Sequence, residues 1–394
     1  MTDRFLGSIA TVAVAAAASA AISVSAFAQA PGASGGALKT PWGEPDLQGI
    51  WTEEVDTPLQ RPAKYANQEF FTEQERADLD RARSATLTRF ATEREINGAY
   101  NAATFFTTKR TGTRTSKIVD PPNGRLPALT PEAQKTAAAE RDYRLALLQS
   151  TETCKKGLPG CAGGKYDPTT SPRRAETPPR YITSRINRND GPEDSSLGER
   201  CLTGGLPEFG GATGSFRRIV QTAGGISMFY DVGQGQGWQR NIVMDGSPHV
   251  PPKIRQWYGD SRGRWEGDTL VIDVTNFSAK TDVFGSRENL HLVERWTRTG
   301  PRTLAYEVTV DDPTVWTRSW TVKQEFSRQS DEENRIYAEP RCLEGNYGLP
   351  GLLHGRRAED AAFAAGRGPD PAATDNTSIG SLANAEIPQD PLQQ

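Results

Sequence analysis

The sequence predicts a mainly β protein, a lipocalin-like antiparallel barrel wrapped by helical and irregular N- and C-terminal arms. Three observations carry this expectation. Between about residues 216 and 340 short β-rich runs recur, each bounded by Gly, Pro, Asn or Asp. Within several of them apolar and polar residues alternate, the period of a half-buried strand. Outside this region the chain is rich in Pro and Gly or carries helix signals with few apolar residues, so the arms have little to build a core from.

The elements follow in chain order. Residues 1–28 have the layout of an export signal: Arg4, an apolar stretch from Leu6 to Val24, then Ala26-Phe27-Ala28 for a peptidase. Cleavage after Ala28 is favoured over cleavage after Ala30, which would leave Pro31 first in the mature chain. No later apolar run approaches spanning length, and the mean hydropathy is -0.61, so no integral membrane protein is expected. Residues 29–200 form an arm. Its Pro/Gly-rich start holds Trp42 and Trp51 as isolated aromatics. A helix runs over residues 72–95, opened by the capping-box pattern Thr72-Glu73-Gln74-Glu75. A second starts at Thr130-Pro131-Glu132 and reaches about Gln149.

The barrel core is placed at residues 201–348. Its strands are read as Arg217–Thr222, Ile226–Asp231, Trp238–Asp245, Gly263–Glu266, Thr269–Thr275, Leu290–Arg298, Leu304–Asp311, Trp316–Phe326 and Ile336–Glu339. Tight turns at Ala223-Gly224-Gly225 and Gly267-Asp268 favour an up-and-down order, which a barrel closes without free edges. A two-sheet sandwich is the alternative. Residues 349–394 are read as a short helix near Ala358–Ala365 and a disordered tail.

Composition excludes some classes. A net charge of -3 with interspersed signs lacks the basic face of a nucleic-acid binder. Four cysteines in an exported chain read as two disulfides, of which Cys154–Cys161 with Cys201–Cys342 is the favoured of three pairings. Three scattered histidines, His249, His291 and His354, and no Cys-x-x-Cys spacing predict no metal site. No cofactor is expected either: Gly233-Gln234-Gly235-Gln236-Gly237 opens no helix, and no hydrolase or phosphate-loop motif is present.

Candidate site residues come from breaks in the alternation. Leu290, Leu292, Glu294, Trp296 and Arg298 share a face, which sets Glu294 among apolar neighbours. Trp316, Arg318, Trp320, Val322 and Phe326 share another, which sets Arg318 between two tryptophans. An unpaired buried charge costs several kcal/mol, so Glu294 and Arg318 both need partners and could satisfy each other, as a structural pair inside the barrel, at a barrel end where both reach water, or as a ligand-binding or acid–base pair in a cavity. Six of the eight tryptophans lie between Trp238 and Trp320. Trp265, Trp296, Tyr306, Trp316, Arg318 and Trp320 are therefore the candidate ligand-binding set, for a small aromatic or apolar organic molecule. Glu294, His249 and Asp245 are the candidate catalytic groups; histidine titrates near neutrality, which suits a general base. An enzyme built this way would be a cofactor-independent lyase, isomerase or hydrolase. The alternatives are a non-catalytic ligand binder and an envelope interaction protein with a filled barrel.

Several segments resemble a family of exported, mostly uncharacterised bacterial proteins abundant in acidobacterial and some proteobacterial genomes. The matching stretches are Pro45–Trp51, Asp120–Arg125, Asp245–His249, Gln256–Leu270 running on to Phe277, Leu290–Arg298, Tyr306–Pro313 and Glu344–Gly348. The resemblance implies a periplasmic or secreted protein. Where that family usually has Cys-His-Glu-Gly-Asn-Tyr, this chain has Leu343 in the histidine's place, so any ligand or base role of that histidine in the relatives is absent here, which further disfavours a metal site.

Overall fold

The computed structural model describes residues 38–92, 109–161, 163–202, 205–209, 216–233, 236–330 and 348–377. The proposed leader, the strand at Ile336–Glu339, the Cys342 end of the second disulfide and most of the tail lie outside them.

The core is a closed β-barrel. Its wall begins with β1 (Gly49–Thr52), separated by two short strands, β2 (Val55–Asp56) and β3 (Arg110–Thr111), from β4 (Ile118–Asp120). It continues through β5 (Phe216–Thr222), β6 (Gly225–Gly233), β7 (Gln236–Val243), β8 (Asp260–Glu266), β9 (Thr269–Thr275), β10 (His291–Gly300), β11 (Thr303–Asp311) and β12 (Trp320–Arg328). β5 to β12 are neighbours in chain order, and β1 closes the ring by pairing with both β5 and β12. β4 takes the other half of the β12 edge, at Thr321 and Val322.

A ring of nine strands cannot alternate direction all the way round, so one neighbouring pair must be parallel. That pair is β7–β8, joined at Val243 and Arg262. Parallel neighbours need a connection that returns along the barrel. Residues 244–259 make that return over the outer wall. At the join the side chains of Met244 and Ile242 lie over Gly263, where an added Cβ would stand 2.3 Å from Met244 Sδ and 2.6 Å from Ile242 Cγ2.

The interior follows the alternation. Leu270, Trp296, Tyr306 and Gln324 form one cross-strand row. Ile272, Glu294, Val308 and Val322 form the next, and Val274, Leu292, Val310 and Trp320 the third. Apart from Gln324 these twelve side chains are 0–2% exposed. Trp51 on β1 is fully buried and donates through its indole to Leu47 O at 2.9 Å.

The helices form where capping predicts them. In α1 (Glu73–Thr92), Glu75 Oε2 accepts from the Thr72 amide at 2.8 Å while Thr72 Oγ1 accepts from the Glu75 amide at 3.2 Å. In α2 (Pro131–Leu148), Thr130 Oγ1 accepts from the Ala133 amide at 3.2 Å. A one-turn helix, α3 (Glu152–Lys155), follows and carries Cys154, which is bonded to Cys161 as expected. Cys201 is also disulfide-bonded. The C-terminal helix α4 (Gly348–Ala364) starts ten residues before the predicted Ala358, because its first half lacks the Ala-rich composition the prediction relied on. Among the described residues no helix is long and apolar enough to cross a membrane.

Candidate functional site

The inward Glu294 is completely buried, and its partner is not Arg318. Arg318 is exposed and forms a surface ion pair with Asp120 at 2.7 Å. The predicted alternation fails because β12 starts only at Trp320; the chain bends at residues 317–318, where period-2 reasoning does not apply. Arg240 on β7 takes the role instead. Trp238, Arg240 and Ile242 alternate inward, the same pattern that singled out Glu294, so the signal stood in the sequence beside a less conspicuous set of neighbours.

Arg240 pairs with Glu294 Oε2 and also donates to Ser261 Oγ at 2.9 Å and to the Tyr230 hydroxyl at 3.3 Å. The Tyr306 hydroxyl donates to Glu294 Oε1 at 2.8 Å. Burial pushes the Tyr230 phenol up to about 12, against the pull of Arg240. Burial also raises Tyr306 well above its ordinary value, and the Glu294 charge adds to it. Both phenols therefore stay protonated as donors. Each Glu294 oxygen is committed, one to a guanidinium and one to a phenol, and the group as a whole knits five strands, β6, β7, β8, β10 and β11.

The other candidates separate into two places. Trp296 packs into the core, 4.2 Å from the Tyr306 ring centroid and 5.9 Å from that of Phe326. Trp265 is half-buried and also points inward, opposite Leu270. Trp316 and Trp320 stand at the opposite end of the barrel, edge to face at 5.5 Å. There Trp320 meets Phe209 at 5.7 Å and Phe284 at 6.2 Å, two rings not singled out from the sequence. Phe284 is 47% exposed and sits at φ 50°, a backbone region that a bulky side chain rarely occupies. The Trp320 indole N–H is buried and has no acceptor among the described residues.

His249 and Asp245 lie on the outer wall at that same end, in the return connection between β7 and β8. His249 Nδ1 faces Asp260 Oδ2 at 2.8 Å and Nε2 faces Asp273 Oδ1 at 2.9 Å. His291 Nε2 meets the second Asp273 oxygen at 3.1 Å. Arg262 grips Asp260 at 2.9 and 3.1 Å and donates to Ser247 Oγ at 2.6 Å, and Ser247 in turn donates to Asp245 Oδ1 at 2.5 Å. The hydrogen bond from His291, with His249 adding to it, holds the Asp273 carboxyl below its usual range, and the same Asp273 bond raises His291. Asp260 is likewise held low: burial raises it, but Arg262 and His249 outweigh that. The structure thus joins His249 to Asp245 through Ser247 and Arg262, while Glu294 lies on the other side of the wall. Sequence alternation set His291 apart from Glu294, but nothing local linked it to His249, 42 positions earlier in the numbering.

Among the described residues no three His, Cys, Asp or Glu side chains converge as metal ligands. No family model matches the chain, and no curated protein does. Among solved structures it is similar to a secretary abundant heat soluble (SAHS) protein from Ramazzottius varieornatus, with 12% identity over 34% of this chain and 82% of that one and a TM-score of 0.22. Likeness at that level transfers nothing about ligand or activity.

Proposed function

We propose that this is an exported protein that binds a small planar, largely apolar molecule at the barrel end formed by Trp316, Trp320, Phe209 and Phe284. The observation that carries the reading is Phe284: an aromatic ring held at positive φ and exposed to water, packed on a buried tryptophan whose indole donor has no acceptor among the described residues. A protein gains nothing in stability by holding a large apolar ring in a strained conformation at its surface; such outliers cluster at binding sites. Export rests on the leader layout, on the resemblance to exported bacterial proteins, and is supported by the Cys154–Cys161 bond.

Titration with 2-naphthol, followed by tryptophan fluorescence, tests it. Saturable 1:1 quenching is expected, weakened about tenfold by Phe284→Ala, the loss of one good aromatic contact. Absence of saturation, or equal affinity in the Phe284 variant, would refute the site.

A catalytic version has one specific support. Among the described residues His291 is bonded through Nε2 alone, and its side chain is 39% exposed at the same barrel end. His249 is engaged at both nitrogens, so the acid–base candidate within this reading shifts from His249 to His291.

A further inference from the structure

A second site lies beside the barrel, where α2, the segment 179–184 and the loop 282–287 meet. They enclose a cleft of about 200 Å³ whose lining includes Arg144, Arg180 and Arg287 but only two carboxylates, Glu140 and Asp282. The two acids are already spoken for. Asp282 holds Arg287 at 3.0 Å, and Glu140 lies between Arg180 at 3.6 Å and Arg287 at 3.7 Å. Arg287 is further tied to the carbonyls of Tyr181 and Ala279, and Arg180 to that of Gly285.

Arg144 is the exception. Its guanidinium touches only the carbonyl oxygens of Ser184 and Arg185, at 3.1–3.4 Å, with no carboxylate in ion-pair reach among the described residues. A partly buried guanidinium that meets only backbone oxygens keeps most of its attraction for an anion, and its planar fork matches two oxygens of a carboxylate or phosphate. The lining carries one positive charge in excess, which suits a monoanion better than a dianion.

We infer that this cleft binds the carboxylate group of a small organic acid, held by Arg144 with Arg180 beside it. The site is independent of the aromatic end: the two share the loop 282–287, but Phe284 does not line the cleft. Burial lowers the Arg144 guanidinium from its ordinary value, and the charges of Glu140 and Asp282 offset only part of that.

The test is an NMR titration of the purified protein with sodium acetate, matched against sodium chloride at equal ionic strength, reading the amides of residues 180–184. Acetate carries no ring and so does not probe the aromatic end. Saturable shifts are expected, with affinity falling about tenfold in Arg144→Gln, the scale of one charge-assisted hydrogen bond. A smaller loss is expected in Arg144→Lys, and no change in Phe284→Ala. Should Arg144→Gln fold poorly, Arg180→Gln provides the same readout. Shifts that follow ionic strength alone, or saturation unaltered in both glutamine variants, would overturn the site. Tighter binding of inorganic phosphate than of acetate would overturn the monoanion assignment.

Discussion

A single charge inside a barrel wall is informative because it must be answered by another. Glu294 and Arg240 answer each other, and removing one strands its partner, a change that typically costs about 3–5 kcal/mol. Glu294→Gln and Arg240→Met should each lower unfolding free energy by that order in denaturant melts, while Glu294→Leu with Arg240→Leu together recovers most of it. Arg318→Ala, at an exposed pair, should stay within about 0.5 kcal/mol. Equal losses at Arg318 and Arg240 would contradict the pairing described above. The inward position of Glu294 was legible from sequence, since β10 alternates without interruption. The inward position of Arg240 was open to the same reading, but its pairing with Glu294 was not: pairing depends on which strand stands across the barrel, and local periodicity has no access to that. The outer histidines give a second residue-level expectation. His291 is raised above 6.5, so its contribution is complete below that pH and fades as pH climbs past the raised value. Asp273 is depressed below 3.8, so its contribution is complete above that pH and is lost as pH falls through the depressed value. The stability gap between the native protein and Asp273→Asn should therefore be widest between pH 3.8 and 6.5 and narrow on either side. A gap independent of pH would show that the interaction is not ionic.

At the level of elements, the strands from β5 to β11 could be read from sequence to within a few residues, because each is long enough to show its period. β1 could not. Four residues containing one tryptophan, set among Gly and Pro, look like an isolated aromatic in an arm. Only the closed ring reveals that Gly49–Thr52 completes it, with Trp51 fully inside. Trp51→Ala should accordingly cost about 3–5 kcal/mol, as for a core tryptophan rather than a surface one. A chemical melt showing less than about 1 kcal/mol would place this residue outside the core. The start of β12 was misjudged for the converse reason: Trp316 and Trp320 are both buried and four apart, which imitates one strand, although a bend at 317–318 separates them.

The whole molecule is a barrel with attachments, and its parts differ in what they contribute. The Cys154–Cys161 bond closes a short loop beside Leu148, outside the barrel. Changing both cysteines to alanine should lower stability by about 2–3 kcal/mol, the chain-entropy value for so short a loop. The barrel itself should keep its β-sheet circular dichroism; its loss would mean that the attachments and the wall fold as one. The odd strand number has a larger consequence. Eight of the nine joins are laddered antiparallel pairs, whereas β7 and β8 meet through a single bridge among the described residues. A side chain does there what the backbone does elsewhere, through Arg240 on β7 to Ser261 on β8 within the barrel. Such a join breathes more readily than its neighbours, because local opening follows the backbone bonds that must be broken. When the barrel exchanges its amide hydrogens with solvent, the facing edges of β7 and β8 are where deuterium enters first. Any molecule that reaches the interior by transient opening, rather than through an end, has this slit as its way in.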